Sequence, residues 1–176
     1  MTTKKGKAKF FRRISRQSRV LPDLIASSVA DIDIDTLKKL KVGCMIIDID
    51  DTLVTRRGRE LDEHIAHHLD RIRHAGIELV VGSNTRRDIT ALAASINART
   101  VERGRWRYKP MKYFFSHILA TINLPPDRIV MVGDRVINDV VGAKRTGIQT
   151  ILVLPLGRQL GWLARRYWSY LERHAQ

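Results

Sequence analysis

Cysteine is nearly missing from this chain: Cys44 stands alone among 176 residues. No internal disulfide can form, and the thiol's place in an apolar run predicts a buried, inert group in a reducing compartment. No apolar run approaches the ~20 residues of a membrane span. The basic N-terminus interrupts its aromatic pair, Phe10-Phe11, with Arg12 and Arg13, which leaves no signal-peptide core. The expected location is cytoplasmic, with any membrane contact peripheral and on the inner face. Neither GxxxxGK nor GxGxxG occurs, so the Gly-rich phosphate loops of those two types are excluded. Acidic residues are absent ahead of Asp23, although eight Lys and Arg precede it.

That imbalance is concentrated at the ends. The formal charge is +14, and the stretch before Asp23 together with the tail from Gly157 carries eleven of it. In the tail, Arg158, Arg165, Arg166 and Arg173 face one acid, Glu172. Such ends imply a polyanion nearby: nucleic acid, a ribosome, or an anionic membrane face. The expected organisation is a basic arm over 1–20, disordered or loosely helical, a body over 21–156, and a basic aromatic helix over 157–176. That last segment sets Trp162, Tyr167, Trp168 and Tyr170 among arginines. It reads equally as a terminal helix packed through Leu160, Leu163, Tyr167 and Leu171 or as an interfacial helix.

Within the body, strands and helices alternate. Pro22-Asp23 predicts a helix through Leu24 to Val29, and Asp35 a cap for a second helix through Leu37 and Leu40. Val42 to Ile47 reads as a buried strand. Leu61, Ile65, Leu69 and Ile72 recur at helical spacing until Gly76. Ile77 to Val81 is a second strand, followed by a helix from about Arg86 to Asn97. Trp106 and Tyr108 suggest a short strand before Lys109-Pro110. Phe114 to Ile122 forms an apolar helix face, Ile129 to Val132 a strand, then comes a short helix to Arg145, and Thr150 to Leu154 is a last strand. The alternation predicts an α/β fold, a doubly wound parallel sheet with helices on both faces.

The chemistry collects at strand ends. Met45-Ile46-Ile47 runs into Asp48 and Asp50, two carboxylates that need a cation or a shared proton. Ser83, Lys109 and Asp134 end or follow the later strands, and parallel strands would bring them to one edge. Nucleophile, acid/base, cationic clamp and metal ligand are the parts phosphoryl transfer requires. A response-regulator receiver also combines acids, a Ser/Thr and Lys-Pro, but it needs a phosphoacceptor Asp on an intervening strand. Here Asp62 and Asp70 lie on the helix.

Asp48-Ile49-Asp50-Asp51-Thr52, Ser83, Lys109 and Gly133-Asp134 with Asp139 resemble, in order and spacing, the four motifs of the haloacid dehalogenase (HAD) superfamily. Leu21-Pro22-Asp23, Asp31-Ile32-Asp33, Ser83-Asn84 and Lys109-Pro110 are similar to its IIIA-type phosphatases of the YqeG kind, which are related to phosphatidylglycerophosphate phosphatases. Asp51 and Asn138 depart from that pattern, where Asn and Thr are expected. The resemblance implies a HAD-like fold with a minimal cap and a phosphomonoester hydrolase working through an aspartyl-phosphate.

In that reading Asp48 is the nucleophile and Asp50 the acid/base. Ser83 donates to the phosphoryl oxygens, Lys109 neutralises charge there, and Thr52 and Asn84 bind substrate. Magnesium is held by Asp48, the Asp50 carbonyl and Asp134, while Asp139 orients Lys109 or a metal-bound water. The expected substrate is a phosphate ester, foremost an anionic phospholipid monoester such as phosphatidylglycerophosphate. The alternatives are a nucleotide, nucleic-acid or other small-molecule phosphatase, and an RNA- or ribosome-binding protein with a HAD body as scaffold.

Overall fold

The computed structural model describes residues 11–14, 18, 20–56, 58–101, 108–157 and 159–175. Seven strands form one sheet: β1 Phe11–Arg13, β2 Leu24–Ala26, β3 Cys44–Ile47, β4 Glu78–Val81, β5 Arg99–Thr100, β6 Ile129–Gly133 and β7 Gln149–Val153. Their order across the sheet is β1-β2-β7-β6-β3-β4-β5. Every neighbouring pair is parallel except β1 with β2. β3 is central, with Ile47 opposite both Val132 and Val81.

Helices α1 Ile34–Lys39, α2 Glu63–His74, α3 Thr90–Ser95, α4 Lys112–Thr121, α5 Gly142–Lys144 and α6 Trp162–His174 cover both faces. The two-residue period of β3 sorts the core. Met45 and Ile47 pack with Leu37 of α1, Leu69 and Ile72 of α2, and Ala93 of α3. Cys44 and Ile46 face the other way, toward Phe114, Phe115 and Ile118 of α4. Ile25 and Leu152 meet Trp168 and Leu171 of α6 in a third cluster. Strands buried on both faces have no polar side to alternate with, which is why they read as continuous apolar runs.

Several expectations are corrected. Pro22 to Val29 is not a helix: Leu24–Ala26 is β2, and only Val29–Asp31 makes a 3₁₀ turn. Asp23 does not cap a helix because its carboxylate is committed to β7. It accepts from the Thr150 amide at 2.8 Å and hydroxyl at 3.0 Å, and from Lys144 Nζ at 2.9 Å. The cap of α1 is Asp33, not Asp35, since Asp33 reaches the Thr36 amide at 2.9 Å. Phe11 to Arg13, expected in a flexible arm, is an edge strand. Phe11 packs on the core while Arg12 and Arg13 are exposed, and charge suits such an edge.

The helix expected from Arg86 is shorter, because Asp88 accepts from the Thr90 amide and starts α3 there. A strand near Trp106 lies outside the described residues, and Lys109 stands in a turn before α4 rather than on a strand. After β6, Val136–Val141 winds as a wide π-helical turn that leads into α5. In α6 Leu163 is 64 % exposed, and Trp168 takes the buried place instead.

Two features position the site. Between β3 and α2 the described residues form a turn closed by a bridge between Asp50 and Val54, with no helix. Phe11 pairs with Ala26, and Ala26 with Val153. The chain therefore enters β1 at the carboxyl edge of the parallel strands.

Candidate active site

Asp48 is the first residue beyond β3, tied to β6 by its amide bond to the Val132 carbonyl at 2.9 Å. Ile49 turns back into the core, and its carbonyl accepts from the amides of Thr52, Leu53 and Val54. Asp51 stands at φ +64, a left-handed position that Asn and Asp both tolerate. That explains how an Asp serves where Asn was expected. Its carboxylate accepts from the Arg56 amide at 3.0 Å and holds the turn closed. Thr52, expected at the substrate, is buried, with a hydroxyl that has no hydrogen-bond partner among the described residues.

Lys109 comes in from the side of α4. Its buried ammonium lies 2.7 Å from Asp48 Oδ1 and 2.7 Å from Asp139 Oδ1. Asn84 positions it: the Asn84 amide nitrogen donates to the Lys109 carbonyl at 2.8 Å, and its oxygen accepts from the Lys109 amide at 2.8 Å. Asn84 was expected to bind substrate, but both ends of its side chain are spent on this clamp. Ser83 lines the cleft, and its hydroxyl accepts from the Thr85 amide at 3.2 Å. Gly133 is required by close approach, since a Cβ there would stand 2.2 Å from Asp139 Oδ2. That oxygen accepts from the Arg135 amide at 2.9 Å. Both Asp139 oxygens are thus engaged, which suits orienting Lys109 better than ligating an ion.

The electrostatics are unbalanced. Asp48, Asp134 and Asp139 bring carboxylate oxygens within 4.8 Å of one another. With Lys109 the group carries an excess of two negative charges when all are ionised. Burial alone would lower the Lys109 pKa, but Asp139 and Asp48 reverse that, and it stands above the ordinary value. Burial raises Asp139, with Lys109 opposing and Asp48 adding to the rise. Asp134 is pushed up to about 7 by burial, then by Asp139 and Asp48. Its Oδ1 is buried without a hydrogen-bond partner among the described residues, the nearest cation being Arg135 Nε at 3.9 Å. An all-oxygen donor set with that excess charge and an orphaned carboxylate oxygen fits a hard divalent cation.

Asp50 was expected to offer the ion its carbonyl rather than its side chain. Its carboxylate stands apart from the acidic cluster and pairs with Arg87, which also donates to the Gly58 carbonyl at 2.7 Å. Arg87 escaped the sequence reading, as did Arg56 and Arg135, which line the cleft with Asn138. Arg135 directly follows Asp134, a position that could have signalled it. Nothing distinguished Arg87 from Arg86 beside it.

With the geometry in place, the relatives are informative. Residues 107–157, which contain Lys109, Asp134 and Asp139, match the HAD-hydrolase-like family model. The Bacillus subtilis (strain 168) protein "Probable phosphatase YqeG" is 27% identical over 146 residues, 82% of this chain and 83% of that protein. The chain is similar to the HAD phosphatases of the YqeG type. Crystal structures of two uncharacterized proteins share the fold of this chain. The Listeria monocytogenes serotype 4b protein has a TM-score of 0.53 at 20% identity, over 68% of this chain and 85% of its own. The Corynebacterium glutamicum protein has a TM-score of 0.52 at 22% identity, over 74% and 94%.

Proposed function

We propose that this protein is a HAD phosphatase, a magnesium-dependent phosphomonoester hydrolase that works through an aspartyl-phosphate on Asp48. One arrangement carries the reading: Asp48 lines the cleft beside the Lys109 ammonium, and its carboxylate is grouped with those of Asp134 and Asp139. Asp48 attacks phosphorus, and the bond from phosphorus to the alcohol oxygen breaks as that oxygen takes a proton from Asp50. Asp50 then removes a proton from water as the water attacks the aspartyl-phosphate, which frees phosphate and restores Asp48. Asp50 must leave its ion pair with Arg87 to carry the first proton. Ser83 donates to the phosphoryl oxygens. Lys109 offsets their charge, an interaction of ~4 kcal/mol for unit charges at ~4 Å and an effective dielectric near 20. Magnesium would be held by Asp48, Asp134 and the Asp50 carbonyl, and would supply positive charge where the phosphoryl group binds.

The substrate we favour is an anionic phospholipid monoester such as phosphatidylglycerophosphate. The cleft measures about 140 Å³, small against the 300 Å³ and upward of ordinary ligand pockets. It admits a phosphoryl group and leaves the rest of a substrate outside. Arg56 and Arg135 line it, and the chain enters β1 on the same edge, some four strand spacings or ~19 Å from β3. Among the described residues no helix is long and apolar enough to cross a membrane, so such a substrate would be reached from the surface. Each cation near an anionic surface contributes ~1 kcal/mol.

The deciding assay measures phosphate release from para-nitrophenyl phosphate with magnesium or with EDTA. Asp48→Asn should abolish it and leave the fold intact. Full activity in that variant removes Asp48 as nucleophile. Liposomes containing phosphatidylglycerophosphate are then compared with nucleotides, sugar phosphates and RNA binding. Tight RNA binding without lipid hydrolysis would overturn the lipid reading.

A further inference from the structure

Beside the catalytic cleft lies a second, larger depression of about 750 Å³ between the π-helical turn and α6. The two share Arg56, Arg135 and Asn138 as common wall. The shared wall is cationic, whereas the far side of the depression is apolar: Ile137, Leu160, Leu163 and the ring of Tyr167. Ile137 is 67 % exposed and Leu163 64 % exposed, an unusual state for two aliphatic side chains facing one groove. The Tyr167 hydroxyl is buried without a hydrogen-bond partner among the described residues, and burial pushes its pKa up to about 12.

We infer that this groove is the leaving-group subsite of the phosphatase, and that it takes the apolar body of the alcohol whose phosphate enters the cleft. The inference rests on the phosphatase reading above and adds where the alcohol lies and which residues select it. The small cleft forces the alcohol outward, and the groove is the depression that continues it through Arg56, Arg135 and Asn138. Those three sit where the polar junction between phosphate and alcohol would pass. Ile137 and Leu163 are then specificity-determining residues. The expected substrate class is the phosphomonoester of an amphiphilic alcohol, in preference to a phosphosugar or a nucleotide.

The test is a series of monomeric alkyl phosphates, methyl to octyl, each below its micelle concentration, with magnesium. kcat/KM should rise about two- to fourfold per methylene until the groove is filled. Leu163→Asp and Ile137→Asp, both at exposed positions, should each flatten the ratio of octyl to methyl phosphate at least tenfold. Tyr113→Asp, 73 % exposed on α4, should leave the ratio as it is. Octylphosphonate, which cannot be hydrolysed, should raise the melting temperature of the native protein and fail to do so in the two groove variants. A flat chain-length series with active enzyme, or an unchanged slope in both groove variants, overturns the groove assignment and leaves the phosphatase reading standing. No turnover of any phosphate in the series overturns both.

Discussion

Asp134 offers the sharpest measurement of how the acidic cluster is balanced. Its pKa lies at about 7 in the folded, metal-free protein against 3.8 for the ordinary group, raised by burial and then by Asp139 and Asp48. Between those values the native state keeps a proton that the unfolded chain has lost. The stability this gives is complete below pH 3.8 and gone once pH rises through about 7. The separation corresponds to about 4 kcal/mol, a ceiling that solvent relaxation reduces. Asp134→Asn cannot ionise and keeps the neutral form throughout. In EDTA, melting temperatures of native protein and variant should therefore diverge from pH 4 to pH 8, with the variant gaining. At roughly 2–4 °C per kcal/mol for a chain of this size, the full effect is about 8–16 °C. Magnesium at pH 8 should raise the melting temperature of the native protein and not of the variant. Parallel melting curves across the pH range, with equal response to magnesium, would refute the argument that the Asp134 charge is only partly offset, by Arg135 at 3.9 Å.

Asp50→Asn should slow turnover of an alkyl phosphate by about two to four orders of magnitude, the span for losing a general acid–base, and an unchanged rate would remove that role. Lys109→Met leaves Asp48 and Asp139 buried without their cation, so metal-free protein should lose about 3–5 kcal/mol in urea unfolding. A variant of native stability would show that the carboxylates had simply taken up protons. Gly133→Ala puts a methyl group 2.2 Å from Asp139 Oδ2. It should weaken magnesium binding in calorimetry, and unaltered affinity would show that Asp139 can move without consequence.

The sheet was legible because each buried strand announces itself as an unbroken apolar run, and the acids that follow mark its carboxyl end. Met45-Ile46-Ile47 before Asp48 and Ile129 to Val132 before Gly133-Asp134 show the rule at work. Leu24–Ala26 was misread because three residues are too few for any period, and Pro22-Asp23 is a fair helix start locally. Its strand character comes from pairing with Ile151, Leu152 and Val153 of β7, far along the chain. Asn84 lines the cleft as expected, but a primary amide beside a hydroxyl gives no sign that it also clamps the Lys109 backbone. Arg87 was invisible for a related reason: its bond to Asp50 is set by how the β3–α2 turn folds back. The groove next to α6 could not be read either, because it lies between segments that no periodicity connects.

Cys44 faces α4 from β3 with no exposure at all, and burial pushes its thiol up to about 12. The thiolate that alkylating reagents and oxidants attack is thus almost absent at neutral pH, and the sulfur is walled off as well. A maleimide would find no target on the native fold. The protein can be stored without reductant, and a cysteine introduced at Tyr113 would take a single fluorophore or spin label. Every signal would then come from that one surface position, on a molecule whose catalytic edge remains unmodified.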